Sequence, residues 1–224
     1  MENNEPGVNE AAKVPPRVFV SYSHDTPEHS KRVRELALGL RAKGLDVRLD
    51  QFEAMFDNEG WPAWSSRQIL SAKYVLIICS PAYCRHFHGL TEVVNGKEKG
   101  RGVRWESRII QNLVYYDCCP IGFLPVVLAG MEPEEVVPAA LRGGARIREA
   151  APGELGRLVQ QIAQALGCDP DWPACPLPEQ MATTAANRTG AELGSVITET
   201  TWSAMPLLEN IQRIVQGLCT RHFP

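Results

Sequence analysis

The side chains with most chemistry to offer are scattered along the chain. Ser21, Tyr22, Ser23, His24 and Asp25 form one polar run; Asp50 follows, then Trp61 and Trp64, then Ser80, then Trp105 beside Glu106. Glu106 stands near the predicted start of a helix, where the helix dipole stabilises a carboxylate. Helix starts favour acids for that reason alone, so a purely structural acid is the competing reading. Its setting distinguishes Glu106: a glycine-rich segment precedes it and an aromatic ring sits beside it. The backbone N–H groups of residues 21–25, at the head of the next helix, suit a phosphate. Trp61 and Trp64 could stack on a flat ring, more favourably if that ring is cationic. Core packing competes with that role and is the stronger reading for Trp64.

Other chemistries have less support. No G-x-S-x-G elbow is present, and His24, His29, His86 and His88 have no obvious Ser or Cys partner. Cys84-Arg85-His86-Phe87-His88 lacks a second ligand pair at structural-zinc spacing, so no metal site is expected. Gly96, Gly100 and Gly102 do not follow a strand in the pattern of a nucleotide fingerprint, which argues against a Rossmann dehydrogenase or a P-loop enzyme.

These residues need elements to bring them together. Residues 17–20 are a β-prone run that stops at the polar cluster. Thr26-Pro27 then opens a helix over 27–43, with Thr26 as cap and Pro27 at the first position. Val33, Leu36, Ala37 and Leu40 share its apolar face; Lys31, Arg34, Glu35 and Arg41 are expected to turn outward. Gly44 ends it in a left-handed cap. Residues 45–50 alternate as a half-buried edge strand, and a loop over 51–62 leads to a short helix at 63–73. Residues 74–79 are continuously apolar, as in the middle of a parallel sheet. A glycine-rich connection, 84–102, is expected to be mobile. A helix over 103–116, a strand over 121–128 carrying Pro125, a helical turn within 131–142, a charged edge strand at 145–148 and a helix over 154–167 follow.

Five βα repeats imply an α/β fold: a five-stranded, mainly parallel, flavodoxin-like sheet with helices on both faces. With strand order 2-1-3-4-5, three groups converge beyond the carboxyl ends of the strands. They are residues 21–25, Asp50 with Trp61 and Trp64, and Glu106 with Trp105; Ser80 lies between them. Residues 1–15 read as a disordered arm, 16–167 as the domain, and 168–200 as a linker or strap. Residues 201–224 hold a C-terminal amphipathic helix, with Leu208, Ile211, Val215 and Leu218 on one face.

Composition narrows the class. A net charge of −3 gives no electrostatic reason to bind nucleic acid or anionic membrane. No run of apolar residues is long enough to span a bilayer, and the polar N-terminus is no signal peptide. Seven cysteines without a C-x-x-C pair suit reduced thiols in a cytoplasmic protein.

Several blocks together carry a family resemblance. They are Arg17 to Asp25, Leu49-Asp50-Gln51-Phe52, Trp61-Pro62-Ala63-Trp64, Val75 to Tyr83, Gly102-Val103-Arg104-Trp105-Glu106, and Phe123 to Leu128. In order and spacing they resemble the SEFIR family of the Toll/interleukin receptor (TIR) superfamily, over about residues 16–148. The resemblance implies an immune or signalling module that self-associates, with other SEFIR or TIR proteins or effectors as partners. It also implies cleavage of NAD+ between nicotinamide and ribose once assembled, with NAD+ as substrate and no resident cofactor. Glu106 matches the position of the family's catalytic glutamate, although Arg104-Trp105-Glu106-Ser107 differs from the TIR pattern around it. Ser21, Tyr22, Ser23, Asp25, Asp50, Trp61, Ser80 and Trp105 are then expected to contact substrate. Asp57, Glu59, Leu208, Ile211 and Val215 are expected at interfaces. Two rivals stand beside this reading: an adaptor that only docks, and a nucleoside or nucleotide transferase using a similar carboxylate.

Overall fold

In the computed structural model, residues 14–53, 60–94, 96–115 and 121–177 are described. β1 (Arg17–Ser21) is buried along almost its whole length because strands lie on both sides of it. Parallel ladders join it to β2 (Asp46–Arg48), with Val18 opposite Val47, and to β3 (Tyr74–Cys79), with Val20 opposite Leu76. Leu76 in turn pairs Leu124 of β6 (Gly122–Val127), and Val126 pairs Ile147 of β7 (Ile147–Arg148). The order is β2-β1-β3-β6-β7, so the expected five-stranded parallel arrangement holds. Pro125 lies opposite Ile77, one residue before the β7 pairing begins.

Alternation along the strands divides the interior in two. Val18, Val20, Leu76, Ile78 and Val126 face α1 (Pro27–Ala42) and α6 (Leu155–Ala165), meeting Leu36, Leu40, Leu158 and Ile162. Phe19, Val75, Ile77 and Val127 face the other way. They meet Trp64 and Ile69 of α2 (Gly60–Ser71), Tyr83 and Phe87 of α3 (Pro81–Phe87), and Ile110 of α4 (Arg101–Tyr115). Thr26 caps α1 as expected, its side chain accepting from the His29 N–H at 3.1 Å. No helix among the described residues is long and apolar enough to cross a membrane.

The glycine-rich connection carries regular structure that was not expected. Ser80 caps α3, accepting from the Tyr83 N–H at 3.0 Å, with Pro81 at the first position. An antiparallel hairpin follows, β4 (Glu92–Val94) against β5 (Lys97–Lys99). α4 begins at Arg101, so Glu106 lies in its second turn, beyond the reach of the first-turn dipole argument. A short helix, α5 (Pro133–Val136), and a 3-10 turn at Ala139–Leu141 occupy the stretch before β7.

Arg41 also departs from expectation: it is buried. Its guanidinium donates to Val47 O at 2.5 Å and to Pro176 O, and stands 5.8 Å from the Phe52 ring centre. Residues 168–177 return over this corner as a strap. The Cys175 N–H donates to Arg41 O at 2.8 Å, and Trp172 lies over Gly44. Gly44 has φ +87°, and a Cβ there would stand 2.6 Å from the Trp172 Cβ, so both backbone shape and space require glycine. The N-terminal arm through residue 13, Asp57, Glu59, residues 178–200 and the C-terminal helix with Leu208, Ile211 and Val215 lie outside the described residues.

Candidate functional site

The strand exits and α4 meet at the carboxyl end of the sheet, where an α/β fold places its ligands. Glu106 is the acid of this meeting point. It is only 3% exposed, and its Oε2 accepts a 2.5 Å hydrogen bond from Ser21 Oγ at the end of β1. Ser21 Oγ lies 2.9 Å from the Tyr83 hydroxyl of α3. Burial pushes the Glu106 carboxyl up to about 8; the Ser21 hydrogen bond opposes the rise and the Asp50 charge adds to it.

A second network stands at the mouth. Asp50 opens a 3-10 turn after β2. Its Oδ2 lies 2.7 Å from His24 Nε2 and accepts from the Tyr22 hydroxyl at 3.3 Å. Gln51 Nε2 donates to that hydroxyl at 2.8 Å and to Ser30 O at 2.9 Å, tying the turn to α1. The Tyr22 and His24 rings stack with centres 4.6 Å apart. The hydrogen bond to Asp50 raises the His24 pKa against the effect of burial. Burial and Asp50 push the Tyr22 hydroxyl well up.

A raised histidine pKa stabilises the fold below its ordinary pKa of 6.5, and that contribution is lost as pH rises through the folded value. The His24 ring is 63% exposed, so solvent keeps the contribution small. Asp50→Asn is therefore expected to lower the His24 titration midpoint, read by NMR, with little change in melting temperature. An unmoved midpoint would contradict the pairing.

Between the two networks lies a cavity of about 570 Å³. Of the residues expected to contact substrate, Tyr22, Ser23, Asp25, Asp50 and Trp61 line it, as does Glu106. Asp25 Oδ1 is buried without a hydrogen-bond partner among the described residues. Trp61 belongs to the first turn of α2, not to the preceding loop, and packs beside Trp64, whose own position is in the core.

Three expected contacts are placed elsewhere. Ser21 holds Glu106 from within the strand and does not line the cavity. Ser80 is fully buried and serves as the α3 cap. Trp105 sits one helical position, about 100°, from Glu106. It therefore turns toward α2, donating from Nε1 to Ser66 Oγ at 2.8 Å and Pro62 O at 3.2 Å.

His24, placed at the site with residues 21–25 but not singled out as a substrate contact, also lines the wall, as do Arg85, His86, Glu92 and Lys99, which were not foreseen. His24 was visible inside the polar run, but its partner Asp50 is remote in sequence. The others required the α3–hairpin fold to be recognised. Gly100 secures that wall: at φ +72°, its hypothetical Cβ would stand 2.3–2.4 Å from His86 ring atoms. Gly100→Ala is expected to cost about 1–2 kcal/mol in backbone strain alone, with the clash added. A lower melting temperature in calorimetry checks this; an unchanged one would contradict it.

The family model for the SEFIR domain matches residues 16–147. Among solved structures, the chain is similar to one described as the crystal structure of a prokaryotic SEFIR domain. The two are 23% identical with a TM-score of 0.45, covering 67% of this chain and 97% of that one. No curated protein matches the chain.

Proposed function

The chain belongs to the SEFIR domain family, a TIR-like signalling module, and from that premise we propose that it self-associates and, once assembled, cleaves NAD+ at the nicotinamide–ribose bond. The observation that carries this reading is Glu106 itself: a buried acid lining a cavity beside the exit of β1. Glu106 is the catalytic residue of the reaction. Loss of nicotinamide leaves an oxocarbenium-like ribose, as in glycoside cleavage. A carboxylate beside it stabilises the developing positive charge and holds the ribose hydroxyls. Water then adds to the ribose carbon, giving ADP-ribose, neutral nicotinamide and a released proton.

The surroundings support each part. In the free protein Glu106 titrates near 8 because it is buried. A cationic nicotinamide ring brought close favours the ionised form, so the substrate helps to charge its own catalyst. Trp61 offers a face for a flat ring. Asp25 Oδ1, an acceptor without a partner among the described residues, suits a ribose hydroxyl. His24, Arg85 and Lys99 bring positive charge for the diphosphate.

Incubation with NAD+ at protein concentrations that drive assembly tests the reading. Release of ADP-ribose and nicotinamide supports it; intact NAD+ in an assembled sample overturns it. Transfer of the ADP-ribosyl group to a second base would assign a transferase instead. One observation favours a docking-only adaptor: Ser21 already gives Glu106 a partner, as a structural core acid needs. In that case Glu106→Gln leaves signalling intact, whereas charge reversal at Asp57 or Glu59 abolishes it.

A further inference from the structure

Tyr83 takes no part in lining the cavity, yet it is polar, bulky and fully buried in the second core cluster. Its hydroxyl lies 2.9 Å from Ser21 Oγ, its hydrogen-bond partner among the described residues. A buried hydroxyl that donates to nothing carries a desolvation penalty, so Tyr83 donates and Ser21 Oγ accepts. Ser21 has one hydrogen of its own, and its other neighbour is Glu106 Oε2 at 2.5 Å. The chain of donors therefore runs Tyr83 to Ser21 to Glu106, and Oε2 is kept as an acceptor. Oε1 takes no hydrogen bond from the described residues, and the side chain lines the cavity.

We infer that Tyr83, acting through Ser21, is a positioning residue that orients Glu106 so that its proton resides on Oε1. The functional meaning of this arrangement rests on the cleavage reading above; the arrangement itself does not. A proton on Oε1 can leave for the cavity without disturbing either hydrogen bond. The ionised acid then finds its Oε2 already held by a donor, which favours the charged form. Without Tyr83, Ser21 Oγ becomes free to accept from a protonated Oε2. The proton of the neutral acid gains an acceptor it lacked, and the carboxylate loses part of its advantage.

Other groups also act on Glu106 and must be held constant. Tyr22, His24 and Asp25 face the cavity from the loop after β1, Asp50 from the turn after β2, Arg85 and His86 from α3, and Glu92 and Lys99 from the hairpin. None is altered by removing one hydroxyl from α3. Asp50 is the one whose charge raises the Glu106 carboxyl.

The test is a carbon-13 titration of glutamate side-chain carboxyls in the full chain, with Glu106→Gln identifying the resonance. The wild-type midpoint is expected at about 8. Tyr83→Phe should raise it by about one unit, and Ser21→Ala should raise it at least as far. An unmoved midpoint in folded Tyr83→Phe overturns the inference. Should Tyr83→Phe not fold, the Ser21 pair decides: Ser21→Ala must raise the midpoint and Ser21→Thr, which keeps the hydroxyl, must restore it. A structural role alone would change melting temperature without moving the midpoint. NAD+ is assayed separately. A shifted midpoint with intact NAD+ upholds the positioning chain and removes the cleavage reading; cleavage with an unmoved midpoint does the reverse.

Discussion

Under the proposed cleavage, Glu106→Gln is expected to reduce NAD+ turnover by at least about a hundredfold, the scale seen when one preorganised electrostatic contact is removed from a site. The same substitution should raise the melting temperature in alkaline buffer. Glutamine has the shape of the protonated acid and can still accept from Ser21, so packing is preserved. It cannot carry the negative charge that the proposed transition state needs.

The stability effect follows from where the proton sits. The folded acid titrates near 8, against an ordinary value of 4.5. Between these values the folded chain holds a proton that the unfolded chain has released. The stabilisation from this group is complete below 4.5 and drains away as pH rises to 8. The amide variant lacks this slope. The two proteins should melt alike near pH 4.5 and separate progressively, the variant gaining a few kcal/mol by pH 8. Calorimetry across that range checks the claim. A variant that melts below wild type at pH 8 would mean that the fold stabilises the ionised acid.

Arg41→Leu carries the second large expectation, a loss of about 2–3 kcal/mol, the scale of leaving buried carbonyl groups short of a donor. The guanidinium holds Val47 O and Pro176 O and lies 3.8 Å from Asp46 Oδ1. Leucine would replace its bulk but leave two carbonyl groups short of donors. Truncation after Gly167 should destabilise in a similar way, because it removes Trp172 from Gly44 and Pro176 from Arg41. Truncation after Leu177 keeps both contacts. Denaturant melts of the three proteins give the comparison; equal midpoints for the two truncations would remove the strap from any part in stability.

The sheet was legible because its signals are local. A continuous apolar run at 74–79 announces a strand buried on both faces, and β3 is that strand, between β1 and β6. Convergence of Glu106 with the exit of β1 followed from topology alone. What escaped was set by contacts between distant residues. Arg41 follows the helical period onto an outward face only if nothing covers that face; the strap does. Trp105 was assigned to the cavity by adjacency to Glu106, but neighbours on a helix point apart. The hairpin had a local signal, Asn95-Gly96 between Val94 and Lys97, a pair favoured in tight two-residue turns. The surrounding glycines and charges obscured it.

The hairpin wall has a consequence for how this protein can diversify. Glu106 and Tyr83 belong to α4 and α3 and Ser21 to the end of β1, whereas Glu92 and Lys99 hang from a short excursion between α3 and α4. Among the described residues its strands ladder with each other and not with the five-stranded sheet, and Glu92 and Glu98 tie it to Arg85 of α3 and Arg104 of α4. Under the proposed cleavage, exchanging residues 90–99 among relatives should therefore retune which molecules are admitted while leaving Glu106 and its supports in register. On the proposed reading, selectivity and reactivity would then reside in separately replaceable parts of one chain.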